Sequence, residues 1–447
     1  MRLLRNYINE LKVVYPISGY LLLLAALVFF KVKIYNYNLS AMIGIWKGFA
    51  ILNSDLMETG FVIYDEGGYD GQFFFFLAKS LFTFNFEKFP ILDSFNLRFN
   101  RIGLPLLSGV FCKFLGFNHY SLITLCILSF SHIYSFLILN KMLAQKNKYL
   151  AYFHLFSPIT LNANLLLVSD SLFVSFSIFC VYFIKHLGVN IFTESSMDYK
   201  KKNISYILFD KSNFPFSENF GIPKRQKHSS VKSEWVFSFG VWYILFFFML
   251  LFMSFIRETG LILLATFFLI CIYDKKIKVA IPVFLSILSY ITITQIFKYS
   301  IDFHPGTNPL SFIDLIDYPL FGFYKSIQLN AFTDIRSLLR ELAKFPIFIF
   351  YVVLILNLKN INTIRDLIVY MPLFFILLVM GVGEEGYWLS FDNISRMLSL
   401  SIPWIILLKN KNDAHNDYYS MYVSIFILIL LIIRLVYIKS PMKFAIY

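Results

Sequence analysis

Apolar blocks of about 13 to 23 residues, separated by short polar turns, recur along this chain and fix its class. A bilayer core about 30 Å thick is crossed by a helix of about 20 apolar residues. The blocks lie at about 13–30, 119–140, 149–168, 171–187, 235–255, 260–273, 279–297, 346–358, 367–382, 396–408 and 419–438, eleven in all. Composition agrees, because only 15% of residues are charged, against roughly a quarter in soluble domains. A membrane β-barrel would alternate apolar and polar residues, and these blocks do not. The expected fold is an all-α polytopic membrane protein of about eleven transmembrane helices. One long soluble core is excluded.

The formal net charge of +13 reads most simply as Lys and Arg retained in short cytoplasmic loops. No nucleic-acid partner is implied. Arg2, Arg5 and Lys12 precede the first block, and no small-residue cleavage site follows it. The first span is therefore expected to stay uncleaved with the N-terminus inside, although Lys31 and Lys33 oppose that orientation. The four cysteines fall in apolar segments without a C-x-x-C pair, and the seven histidines show no metal-ligand spacing.

Three parts follow: residues 1–187, a basic cytoplasmic insertion at 188–234, and residues 235–447. A long first loop at about 34–118 holds Phe73–Phe86 and Ile102–Phe117, two aromatic or Lys-bearing segments suited to lie at the membrane interface. With this loop outside, every inside turn carries Lys or Arg, as retention requires. Counting Ile102–Phe117 as a span would instead put Lys141–Lys148 outside. The insertion carries Lys200-Lys201-Lys202 and Lys224-Arg225-Gln226-Lys227. It reads as a linker, either simply solvated or touching anionic lipid. An outside loop at 298–345 has room for short helices, for example Thr333–Lys344.

Chemistry concentrates in Tyr64-Asp65-Glu66-Gly67-Gly68-Tyr69-Asp70-Gly71-Gln72, directly before four phenylalanines. Carboxylates beside a bilayer are costly unless they bind or react, and glycines let backbone turn tightly against a ligand. In this topology Asp170, Arg257, Glu258, His304, Glu384, Glu385, Asp392 and Arg396 fall on the same side. A base together with a cation for an anionic leaving group suits glycosyl transfer from a lipid phosphate. A carboxylate takes the acceptor proton as C1 gains oxocarbenium character, and an Arg forks onto the departing phosphate.

These motifs resemble the GT-C superfamily of membrane glycosyltransferases. They are most similar to glycosylphosphatidylinositol mannosyltransferases and to bacterial proteins of cell-surface glycopolymer formation. Tyr69-Asp70-Gly71-Gln72-Phe73-Phe74 resembles the family's first-loop Asp-Gly-Gln-Phe motif, and Arg101 through Leu107 resembles its Arg-x-x-x-Pro-Leu-Leu. Ser157-Pro158, Ser169-Asp170-Ser171-Leu172, Arg257-Glu258-Thr259-Gly260 and Ser395-Arg396 follow in order. Ser157 stands where the family has Asn, and the basic insertion is a second departure. The resemblance implies extracytoplasmic catalysis in the inner (cytoplasmic) membrane, with inversion at C1. It also implies a polyprenyl-phosphate sugar donor and a glycan or glycolipid acceptor, with membrane lipid around the fold.

Asp70 is the expected catalytic base, with a helix-capping role as its rival and Asp65 as the other candidate base. Glu66, Gln72, Arg101, Asp170, Arg257, His304 and Arg396 are expected substrate contacts. Arg257 could instead pair with Glu258, Arg396 with Asp392, and Asp170 could cap the next helix. Arg101 reads first as an anchor to lipid headgroups, and His304 could simply be solvated. Asp65, Glu66 and Asp70 offer hard oxygen ligands that suit Mg²⁺ or Mn²⁺. A transporter or flippase for a lipid-linked glycan is the competing class. Its usual internal repeats and mid-membrane charges are not visible here.

Overall fold

A computed structural model describes residues 2–83, 90–93, 98–144, 147–189, 191–192, 231–300, 317–318, 320–330, 335–342, 344, 361, 363–378, 388, 399–411, 419–433 and 443–447. The described chain is mostly helical. It opens with α1 (Arg2–Lys33). The first loop contains β1 (Ile45–Trp46), α2 (Lys47–Leu52), β2 (Val62–Tyr64), α3 (Gly71–Thr83) and α4 (Gly103–Leu115). There follow α5 (Tyr120–Met142), α6 (Leu150–Leu155), α7 (Pro158–Leu165) and α8 (Asp170–His186). Beyond the insertion lie α9 (Val231–Ile256), α10 (Gly260–Tyr273), α11 (Ile277–Ser300), α12 (Phe321–Asn330) and α13 (Ile335–Leu342). The last elements are α14 (Ile364–Leu378), α15 (Ser401–Lys411), α16 (Tyr419–Ile433) and β3 (Phe444–Ile446).

Three described helices are long and apolar enough to cross a membrane: Val13–Lys33, Phe117–Met142 and Ile277–Phe297. Gly103–Leu115, Gly240–Ile256 and Gly260–Tyr273 are shorter apolar helices. Val283, Ser286 and Tyr290 of α11 are buried, while Ile281, Phe284, Leu288 and Ile291 stand exposed. A contiguous apolar strip of this kind marks a surface made for something other than water. The expected spans at 346–358, part of 367–382 and the start of 396–408 lie outside the described residues.

The block at 149–168 differs from expectation, because it is broken at Ser157-Pro158 into two short helices rather than one continuous helix. Pro158 has no amide to continue a helix. Ser157 takes an extended backbone, and its hydroxyl accepts from the Thr160 amide at 3.3 Å. Ser and Asn cap helices about equally well, so Ser157 serves this cap as Asn would. α7 is wholly buried, and just beyond its end the chain turns at Leu167, whose φ is +51°.

A three-stranded sheet was not expected. β1 pairs with β2 in parallel, and β3 pairs antiparallel with β2 in the register Val62 to Ile446 and Tyr64 to Phe444. The Asp65 amide donates to the Lys443 carbonyl at 3.0 Å, and the Gly60 amide to that of Tyr447 at 2.7 Å. Phe444 packs edge-on against Tyr35, with ring centroids 5.2 Å apart. One apolar core joins residues from both sides of the insertion, including Phe173, Phe246, Leu263 and Trp404. The parts 1–187 and 235–447 therefore fold as one body around it.

Charged turns sort to two ends. At one end Arg365 pairs with Asp274 (2.9 Å) and donates to the Ile191 carbonyl at 3.4 Å. These are turns expected inside. At the other end the first loop meets the turns before α8 and after α9. Segments of the loops at 298–345 and 382–395 also touch. There Ser326 donates to the Trp388 carbonyl (3.2 Å), and Lys344 donates to Ser326 and Glu341 at 2.7 Å.

Candidate functional site

The backbone around Asp70 is set by close approach. A Cβ on Gly71 would stand 2.6 Å from the Ile43 carbonyl oxygen and 2.8 Å from that of Leu166. Only glycine lets the head of α3 sit against both the loop and the end of α7. The Tyr69 hydroxyl donates to the Ala41 carbonyl (2.8 Å), and its amide to the Gly44 carbonyl at 3.1 Å. Lys31, buried at the end of α1, donates to the Leu165 carbonyl and lies 4.8 Å over the Tyr69 ring. It thus ties the end of α1 to α7 and to the loop that carries Asp70.

Three arginines pair with carboxylates here. Arg98 contacts Asp70 through Nη1 at 2.9 Å and forks onto Asp93 through Nε (2.8 Å) and Nη2 (2.6 Å). Arg101 forks onto Glu258 at 2.7 and 2.5 Å. Arg257 pairs with Asp170. The elements are locked by Gly103, where a Cβ would stand 2.8 Å from the Ile256 amide nitrogen. The close seam brings the start of α4 against the end of α9, and Arg101 reaches Glu258 across it.

Electrostatics separate the members. Burial by itself would raise the Glu258 carboxyl, but Arg101, with help from Arg257, holds it down at about 2. Burial opposes the charge on Arg98, yet Asp70 and Asp93 together hold its pKa above the ordinary arginine value. Exposure decides access: the Asp70 side chain keeps 20% of its surface and Asp170 only 1%. Asp70 stays open to molecules in the surrounding water, whereas Asp170 is enclosed against Arg257.

The expected residues are therefore placed unequally. Asp70, Arg101, Asp170 and Arg257 gather at one end. Arg101, expected first as a headgroup anchor, forks onto Glu258, a half-buried partner with matching geometry. Arg257 pairs with Asp170, and its charge also helps to lower the Glu258 carboxyl. Gln72 is 3% exposed, and its side-chain oxygen accepts from the Trp46 amide at 3.0 Å, which ties α3 to the loop. Asp65 is 40% exposed and lies 3.9 Å from Lys47, and Glu66 is exposed. His304 and Arg396 lie outside the described residues. Among the described residues, no three His, Cys, Asp or Glu side chains form a metal-ligand set. Arg98 and Asp93 were not singled out as site residues. Their only sequence signal is the cluster Arg98-Phe99-Asn100-Arg101 and an aspartate five residues earlier. No family model, curated protein or solved structure matches this chain, so its resemblance to membrane glycosyltransferases rests on the motifs alone.

Proposed function

We propose that this protein is an eleven-span integral membrane glycosyltransferase. It moves a mannose-like hexose from a polyprenyl-phosphate donor to a cell-surface glycan or glycolipid, with inversion, on the extracytoplasmic face of the inner membrane. The observation that carries the reading is Asp70: an accessible carboxylate at the head of α3, beside Arg98 and at the same end as the Arg101 and Arg257 pairs. The seating of β3 beside β2 in the first loop, whatever the strand direction, supports an odd number of crossings. The chain starts at the far end of α1 and returns at the end where α1 finishes.

In this mechanism Asp70 takes the acceptor hydroxyl proton as that oxygen bonds to C1. The bond from C1 to the phosphate oxygen breaks, and the phosphate leaves with the electron pair. Arg257, balanced by Asp170 in the resting protein, shares its donors with the departing phosphate. His304 and Arg396 are proposed further phosphate contacts, and Asp65 and Glu66 line the acceptor side. Mg²⁺ or Mn²⁺ would help only by neutralising the phosphate.

The test is transfer of label from a radiolabelled polyprenyl-phosphate hexose to membrane extract by the purified, lipid-embedded protein. Wild type should label a new lipid or glycan, and Asp70→Asn should not while eluting as wild type does. Normal turnover by Asp70→Asn removes the assignment. One observation favours the flippase reading: the His132 and His154 rings lie 4.5 Å apart, tilted by 58° and fully buried among apolar helices. Buried ionisable groups at such a depth commonly serve transport. Label that crosses the bilayer without reaching an acceptor would select the flippase.

A further inference from the structure

We propose that Arg98, braced by Asp93, is the positioning residue that fixes the Asp70 carboxylate for proton abstraction, and is not a ligand of the donor phosphate. The proposal rests on Asp70 being the base.

Arg98 is held on three sides. Its fork edge, Nε and Nη2, is filled by both oxygens of Asp93. The remaining nitrogen, Nη1, reaches Asp70 at 2.9 Å. One face of the guanidinium lies 4.4 Å over the Phe73 ring. Only 8% of the side chain is exposed. With the Nε/Nη2 edge on Asp93 and Nη1 on Asp70, neither bidentate edge is left whole for a phosphate.

The brace is itself anchored. The segment carrying Asp93 is tied to the end of α2, where Asn53 accepts from the Ile91 amide (2.8 Å) and donates to the Ile91 carbonyl at 3.0 Å. Phe99, next to Arg98, packs on Phe297 of α11 at 4.9 Å, and Phe73 packs on Phe49 at 4.9 Å. The carboxylate is thus oriented through Arg98 by α2, α3 and α11 together. A base displaced by about 1 Å loses about 100-fold in rate, which is the scale of effect expected here.

The experiment uses Arg98→Gln, Arg98→Ala and Arg98→Lys in the full-length, lipid-embedded protein. Arg98→Gln should lower kcat by about 100-fold with KM for the donor unchanged, Arg98→Lys should retain part of the rate, and millimolar guanidinium should restore turnover to Arg98→Ala. A second readout needs no activity: carbodiimide coupling of an amine to Asp70 at one fixed pH, followed by peptide mass spectrometry. Coupling should be slow in wild type and faster in Arg98→Gln and Arg98→Lys. Equal coupling in all three shows that Arg98 does not hold Asp70 and overturns the proposal. A raised donor KM with kcat unchanged makes Arg98 a phosphate ligand and also overturns it. If wild type transfers no sugar, the glycosyltransferase reading falls and the catalytic role of Arg98 with it. The coupling rates then report the contact alone, so the two failures can be told apart.

Discussion

Replacing Glu258 by Gln isolates the tie between the first loop and the turn after α9. Its carboxyl is held from an ordinary 4.5 down to about 2. That gap corresponds to about 3 kcal/mol of preference for the ionised folded form. The side chain keeps 30% of its surface exposed, so solvent screening reduces the expected loss to about 2 kcal/mol. In lipid nanodiscs this should lower the unfolding midpoint, read by tryptophan fluorescence, by about 2–4 °C. The double variant Glu258→Gln/Arg101→Gln should lose less than the two single losses combined, because the interaction is removed once. The sign with pH follows from the lowered value. The stabilisation is fully present above about 4.5 and is lost as pH falls towards about 2. Wild type should therefore lose stability across that window more steeply than Glu258→Gln. A midpoint within 0.5 °C of wild type (about the precision of the assay), or parallel pH curves for the two proteins, would refute the reasoning.

Asp170→Asn should destabilise far more than Asp65→Asn. It leaves Arg257 charged and almost fully buried, at a cost of about 3–5 kcal/mol, whereas the loose Asp65–Lys47 contact is worth about 0–1 kcal/mol. Thermal midpoints of the two variants check this. Gly71→Ala should cost about 1–3 kcal/mol, since its Cβ meets two backbone carbonyl oxygens. It should also cut transfer by displacing Asp70, and paired unfolding and turnover measurements test both. Deleting residues 443–447 removes the edge strand and the Phe444 ring from β2 and Tyr35. Limited proteolysis should then cut between Gly60 and Asp70, where the full-length chain resists.

The candidate site was legible where chemistry sits close in sequence. Tyr69-Asp70-Gly71-Gln72 and Arg257-Glu258-Thr259-Gly260 each announce charge beside a tight turn. Which charge meets which was not legible. Glu258 adjoins Arg257 in sequence but pairs with Arg101, 157 positions earlier. The reason is the Gly103–Ile256 seam, which no local pattern encodes. Asp93 and Arg98 were missed because a surface loop and a brace for a carboxylate have the same composition.

Apolar block length alone determined that this chain is helical and suited to a membrane, because a bilayer leaves few other ways to satisfy the backbone. Pro158 determined a helix start by its missing amide, though the split of its block appears only in three dimensions. The small sheet was decided entirely by tertiary structure. β2 and β3 are three residues each and lie almost 400 positions apart, too short for any periodicity to register. They pair because residues 443–447 arrive at the same end of the helices as the first loop, where they satisfy the open edge of the buried strand β2.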